Sequence, residues 1–159
     1  MNRTTILLLC SLLLAGCSTL PVAHLVPIEY IIDTQKPMGE SFDTTMLWLN
    51  NTFISSKNVI QYANKESGII TTRAMERLDY RMAGISGPYN AYMNYTLTIQ
   101  FKESKARFLF NAVGTTWGEG AYAYSGNPID QPLFDKFVAF TRAVCDNYST
   151  YIKQGSATW

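Results

Sequence analysis

The stretch YTLTIQFKESKARFLFNAV, Tyr95 to Val113, decides the fold. Tyr95, Leu97, Ile99 and Phe101 alternate with Thr96, Thr98, Gln100 and Lys102, the two-residue period of a strand with one apolar and one polar face. Beyond ESKA, Phe108, Phe110 and Ala112 continue a second apolar row. A turn centred on Ser104 and Lys105 sets Phe101 opposite Phe108 and Ile99 opposite Phe110, with both rows on one side of an antiparallel pair. A one-residue slip would turn one row to solvent, so burial holds this register more firmly than the turn sequence does. Leu109 and Val113 stand on the other face, which is therefore not wholly polar.

A sheet with one apolar face needs a partner layer, and the segment QPLFDKFVAFTRAVCDNYSTYIK, Gln131 to Lys153, supplies it. With Asp130 as N-cap and Pro132 in the first turn, helical rotation gathers Leu133, Phe134, Phe137, Phe140, Thr141, Val144, Cys145, Tyr148, Tyr151 and Ile152 on one broad face. Asp135, Lys136, Arg142, Asp146, Asn147, Thr150 and Lys153 fall opposite. At roughly 1.5 to 3 kcal/mol per large apolar side chain, such a face is stable only against a sheet.

Towards the N-terminus, NVIQYA (58–63) and GIITTR (68–73) read as two strands joined by the polar loop NKES, with residues 74–82 available to extend the second. The following AGISGPYNAYMN reads as a loop. Upstream, SFDTTMLWLNNTFISS places Phe42, Met46, Leu49 and Phe53 at helical spacing with Ser41 as its cap, which leaves Trp48 at the edge of the buried stripe. IEYIID, Ile28 to Asp33, is a short β-branched strand between Pro27 and a turn. The predicted fold is α+β, an antiparallel sheet with two helices on one face in the order β-α-β-β-β-β-α.

The first 27 residues read differently. Arg3, an apolar run from Ile6 to Ala15, and small residues before Cys17 follow the grammar of a secretory signal. The run is about half of the ~20 residues that a spanning helix needs. Leu14-Ala15-Gly16-Cys17 resembles the lipobox of bacterial lipoproteins. That resemblance implies cleavage after residue 16, a diacylglycerol and an N-acyl chain on Cys17 as the only added groups, and loss of Cys10 with the leader. Ser18, where inner-membrane lipoproteins carry Asp, implies the outer membrane, with the periplasmic face favoured over the cell surface. Residues 17–27 form a short uncharged tether, and 28–159 a single domain.

Removing residues 1–16 leaves 143 residues with 12 Lys+Arg against 12 Asp+Glu, a neutral chain without an electrostatic claim on nucleic acid. Cys145 is then the sole free thiol, so an intrachain disulfide framework is excluded.

Within the domain, LWLNNTFISSKNVIQYANKESGII, Leu47 to Ile70, combines a Trp-bearing helix, an SSKNVIQ strand entry and a K-E-S-G turn. In these features the chain resembles the bacterial domain-of-unknown-function family 4468. The resemblance implies a fold like that of the TATA-binding protein and no established activity.

Few residues offer chemistry. His24, the only histidine, lies in the tether, so neither a His-rich metal site nor a Ser-His-Asp arrangement can be assembled around it. Cys145 falls at the edge of an apolar helix face, where burial makes a thiol inert. Glu66, Glu76, Asp79 and Glu103 show no spacing that sets two carboxyls across a cleft, as glycosidic hydrolysis requires. No catalytic or metal-binding residue is expected. The aromatic segments TTWGEGAYAYSGNP and SGPYNAYMNY, with Trp117, Tyr122, Tyr124, Tyr89, Tyr92 and Tyr95, either cap the open ends of the core or form the candidate binding surface, since amphipathic rings on glycine-rich backbone suit recognition.

The expected function is a non-enzymatic, outer-membrane-anchored lipoprotein that binds or scaffolds an envelope protein or peptidoglycan and no nucleic acid. A periplasmic carrier of a lipid or other apolar ligand is the alternative, and would need a cavity under Phe110, Phe134 and Phe137. An envelope hydrolase is the third.

Overall fold

The computed structural model describes residues 23, 25–53, 59–78, 91–117, 124–126 and 129–154. Cys17, the leader and most of the tether lie outside them. The elements are β1 (Ile28–Asp33), α1 (Met38–Thr52), β2 (Ile60–Asn64), β3 (Ile69–Leu78), β4 (Ala91–Lys102), β5 (Lys105–Trp117), β6 (Tyr124–Gly126) and α2 (Gln131–Gln154). Five strands form an antiparallel sheet in the order β1-β5-β4-β3-β2, and the short β6 pairs with the far end of β5. Apart from β6, this is the predicted α+β order.

The β4–β5 hairpin keeps both apolar rows on one face but in a different register. Ile99 pairs with Phe108, Leu97 with Phe110 and Phe101 with Ala106, so the two-residue turn is Glu103-Ser104 rather than Ser104-Lys105. A two-residue change of partner preserves the side-chain face, so the alternation alone does not distinguish the two pairings. Neighbouring contacts select the observed one: Ser104 accepts the Thr34 N–H at 2.7 Å, and Ile32 of β1 stands opposite Ala106. Glu103 takes the left-handed φ of 55° that this tight turn demands.

β3 runs on to Leu78, ten residues in all, and β4 begins at Ala91, so the segment read as a loop contributes AYMN to a strand. Ala91, Met93 and Tyr95 extend the buried row of β4, which places Tyr95 in the core instead of on a binding loop. At the other end, Gly68 has φ 63°. A Cβ there would stand 2.9 Å from the Phe101 carbonyl oxygen, so both backbone conformation and space require glycine.

Both helices cover the same sheet face. α2 follows the predicted pattern, with Leu133, Phe134, Phe137, Thr141, Val144, Cys145, Tyr148 and Ile152 buried. Asp130 caps it by accepting the Leu133 N–H at 2.8 Å. α1 departs from expectation: it starts at Met38 after Pro37, without a side-chain cap. Ser41 lies inside it, its hydroxyl donating to Thr34 Oγ1 at 2.9 Å. Thr45 Oγ1 in turn stands 2.8 Å from the Tyr148 hydroxyl. These small polar residues occupy the buried face and rotate it onto Trp48, which is 1 % exposed and packs edge-on against Phe108 and Tyr148. Trp48 therefore sits at the centre of the core, and its indole N–H donates to Asn147 Oδ1 at 2.8 Å.

The same layer is filled where a carrier would need space. Tyr95 lies 5.4 Å from Phe137 and 6.1 Å from Phe110 between ring centroids, and Phe134 lies 6.4 Å from Phe137.

Candidate functional site

Alternation in the strands presents a second sheet face, away from both helices. Thr71, Arg73, Met75 and Arg77 of β3 stand beside Thr98, Thr96, Asn94 and Tyr92 of β4, followed by Leu109, Asn111 and Thr116 of β5. Among the described residues no helix packs on this face. Its chemistry is mixed: hydroxyl and amide side chains run through the middle, with exposed Ile31, Tyr62, Met75 and Val113 distributed around them. Asn94 Nδ2 donates to Thr116 Oγ1 at 2.9 Å, which fixes part of this polar row.

Near the hairpin turn the face dips into an open hollow of about 360 Å³ lined by Ile31, Gln100, Lys102, Glu103, Lys105 and Arg107. Arg107 spans three strands there, donating to Glu29 of β1 at 2.7 Å and to Gln100 of β4 at 3.1 Å. The hydrogen bond from Arg107 holds the Glu29 carboxyl below its ordinary range. Lys102 and Lys105 are direct cross-strand partners, a like-charge pairing tolerated because both side chains reach solvent.

The sequence-predicted site residues divide between this face and the end of the sheet. Tyr92 is half-buried on the uncovered face, opposite Arg77 and Thr116. Trp117, the last residue of β5, pairs with Ala91 on one side and Tyr124 on the other, so the backbone brings two of the named aromatic positions into register. Tyr89, Tyr122 and Cys17 lie outside the described residues. Arg73, Met75 and Arg107 were missed as surface candidates. Their signal was the polar alternation of TTRAMER and KARFLF, which marks a solvent face without saying that no helix covers it.

The titratable groups show little that is poised for catalysis. Burial, with a smaller contribution from Asp146, pushes the Cys145 thiol up to about 12. Burial likewise pushes the Tyr148 hydroxyl up to about 12. Of the described acids, Glu29 of β1 and Asp43 of α1 are ion-paired, with Arg107 and Lys65. Among the described residues no cluster of His, Cys, Asp and Glu could hold a metal ion.

Glu76, half-buried on the helix side of β3, has its pKa raised by burial from 4.5. The native state therefore holds this proton more tightly than the unfolded chain, and stability falls as pH rises from about 4.5 through the native value. Glu76→Gln is expected to raise the melting temperature at pH 7 and to make no difference at pH 3, where the Glu76 carboxyl is protonated in the native and the unfolded state alike. Paired thermal unfolding curves at the two pH values measure this.

The segment from the end of β1 through α1 and the K-E-S-G turn to most of β5 is matched by a family model. Described as a domain of unknown function (DUF4468) with TBP-like fold, it covers residues 32–114, just over half of the chain. The chain belongs to the DUF4468 family. A DUF4468 protein from Bacteroides ovatus has a similar fold at 13 % identity, with a TM-score of 0.54 over 90 % of this chain and 93 % of that one. A TBP-like protein from Parabacteroides distasonis is similar at 11 % identity, with a TM-score of 0.56 over 84 % and 96 % of the two chains. No curated protein matches. At these identities the solved DUF4468 and TBP-like structures establish the fold alone.

Proposed function

We propose that this DUF4468 domain is a non-enzymatic binding module of the bacterial envelope, tethered to the outer membrane through a lipidated Cys17, which takes a protein partner on the uncovered face of its sheet. The observation that carries the reading is the unequal use of the two sheet faces. One is packed with aromatic rings under both helices; the other presents Arg73, Met75, Arg77 and Tyr62 beside hydroxyl and amide side chains. Arg, Met and Tyr are enriched in protein interfaces, and a rigid sheet presents them with little conformational entropy to lose. The ring contacts around Phe137 weigh against the carrier alternative, since they occupy the layer where an apolar ligand would lie. The ion-paired carboxylates weigh against the hydrolase. Neutral mature charge and envelope address weigh against nucleic acid, whatever the fold shares with the TATA-binding protein.

Crosslinking in intact cells followed by mass spectrometry tests this. The wild-type chain is expected to recover a defined envelope protein that Met75→Asp with Arg77→Glu loses and Lys136→Glu, on the solvent side of α2, retains. Recovery that is the same for all three chains would exclude the sheet face as the binding surface. Recovery of peptidoglycan fragments instead would replace the protein partner with the cell wall.

A further inference from the structure

β1 stands at an edge of the sheet, and its outer side is laid out for another strand. The Thr34 N–H donates to the Ser104 carbonyl, and the β1–β5 register runs unbroken from Ile28 opposite Phe110 to Asp33 opposite Lys105. Hydrogen-bonded pairs alternate along an antiparallel ladder, so Ile28, Tyr30 and Ile32 turn their backbone groups to β5. Glu29, Ile31 and Asp33 turn theirs outward, where among the described residues no strand pairs with them. Natural sheets guard such an edge with brevity, a bulge, proline or lysine. The opposite edge does so: β2 is five residues long, and its register shifts between Ile60 and Tyr62. The strand IEYIID has no proline, lysine or bulge. Its side chains also leave surface uncovered. Ile31 is 64 % exposed on the helix-free face, and Ile28, Tyr30 and Ile32 are only half-buried on the helix side, although Tyr30 reaches Phe110 and Thr141.

The strand is complementary to itself. An antiparallel mate hydrogen-bonds only where outward residues meet outward residues, and paired residues point to the same side of a sheet, so the helix layers of two copies fall on one side. Only two such registers pair every outward N–H of both copies. One sets Glu29 directly opposite the partner's Asp33, and does so twice, a like-charge contact. The other sets Glu29 opposite the partner's Ile31, Tyr30 opposite the partner's Tyr30 and Ile28 opposite the partner's Ile32. In that register Glu29 keeps its ion pair with Arg107 of its own chain, and Asp33, beside Lys105, faces the partner's Pro27. The proline carbonyl accepts the Asp33 N–H, and the absent proline N–H leaves only a carbonyl at the end of the ladder open to water.

We propose that two copies of this chain pair through β1 in the second register, about a two-fold axis at Tyr30, to form one antiparallel sheet with all the helices on one side and the two helix-free faces continuous on the other. A second copy fits this edge because the same few residues supply both halves of every pair, as a two-fold interface requires. The half-buried row of Ile28, Tyr30 and Ile32 gains the matching row of the mate, and Ile31 is covered by the stem of the partner's Glu29. The pairing requires neither the lipid anchor nor the protein partner proposed above.

Cysteine pairs on β1 test both the contact and its register. Full-length chain carrying Glu29→Cys is co-expressed with a tagged full-length chain carrying Ile31→Cys, extracted in mild detergent, oxidised gently and separated without reductant. A covalent heterodimer is expected, severalfold above the background given by wild-type chains and by Lys136→Cys, a position exposed on the solvent side of α2. Glu29→Cys with Asp33→Cys, and Ile31→Cys with itself, report the other register and should stay near that background. Without oxidant, the wild-type chain is expected to show twice the protein mass of Ile31→Pro and of Ile31→Lys by light scattering corrected for detergent. The Ile31 N–H makes no bond to β5, so proline there breaks the ladder between copies and spares the one within the chain. Both variants should keep the wild-type circular dichroism spectrum, and Ile31→Lys serves alone if proline unfolds the domain. A heterodimer no more abundant than background, or a wild-type chain of the same mass as Ile31→Lys, overturns the pairing. Stronger crosslinking of Glu29→Cys to Asp33→Cys than to Ile31→Cys overturns the register.

Discussion

Replacing Trp48 with Ala is expected to lower the stability of the domain by about 3–5 kcal/mol, the range for deleting a large buried ring. For a chain of this size that is a fall of roughly 10 °C or more in melting temperature. The indole is almost completely buried, touches the rings of Phe53, Phe108 and Tyr148, and links α1 to α2 through Asn147. Its removal leaves a cavity among the rings of Phe53, Phe108 and Tyr148, where both helices meet the sheet. Trp48→Phe should recover most of the packing while losing the bond to Asn147, so its cost should be clearly smaller. Leu47→Ala, one residue away and 59 % exposed, should change stability by no more than about 0.5 kcal/mol. Urea unfolding followed by circular dichroism measures all three. Equal losses for Trp48→Ala and Leu47→Ala would mean that the α1 face has been assigned incorrectly.

That face was the part of the fold least legible in the sequence. Counting only apolar residues selects Phe42, Met46, Leu49 and Phe53 and leaves Trp48 at the edge. The structure buries Ser41 and Thr45 instead of Met46, because their hydroxyls find partners in Thr34 and Tyr148, on β1's exit and on α2. Partners 7 and 103 residues away leave no local trace. α2 was legible because its buried face is almost wholly apolar and its cap is adjacent in sequence. The β4–β5 hairpin was legible in its faces but not in its register, since a two-residue shift alters only which rings are opposite, and that choice belongs to β1.

The candidate site divides along the same line. Composition identified the aromatic residues without separating a core ring such as Tyr95 from a surface one such as Tyr92. Three positions apart in β4, they lie on opposite faces, and only the strand's extension back to Ala91 reveals it. The uncovered face was visible as polar alternation, but whether a helix lies over such a face is a property of the connections. Here β1-α1-β2 and β5-β6-α2 both return on the same side, so among the described residues no helix lies over the other.

Cys17→Ser is expected to move the full-length protein from the membrane fraction to the soluble periplasm and to abolish incorporation of labelled fatty acid. The magnitude follows from chain length: each buried methylene contributes about 0.8 kcal/mol, so one acyl chain binds reversibly and two or three make the attachment effectively permanent. The proposed diacylated, N-acylated Cys17 would stand in the second regime, and the serine variant would fall below the first. Labelled fatty acid on the Cys17→Ser chain would place the acyl group elsewhere and overturn the proposed anchor. Loss of label with full retention in the membrane fraction would make the protein contacts of the sheet face, rather than lipid, the principal attachment.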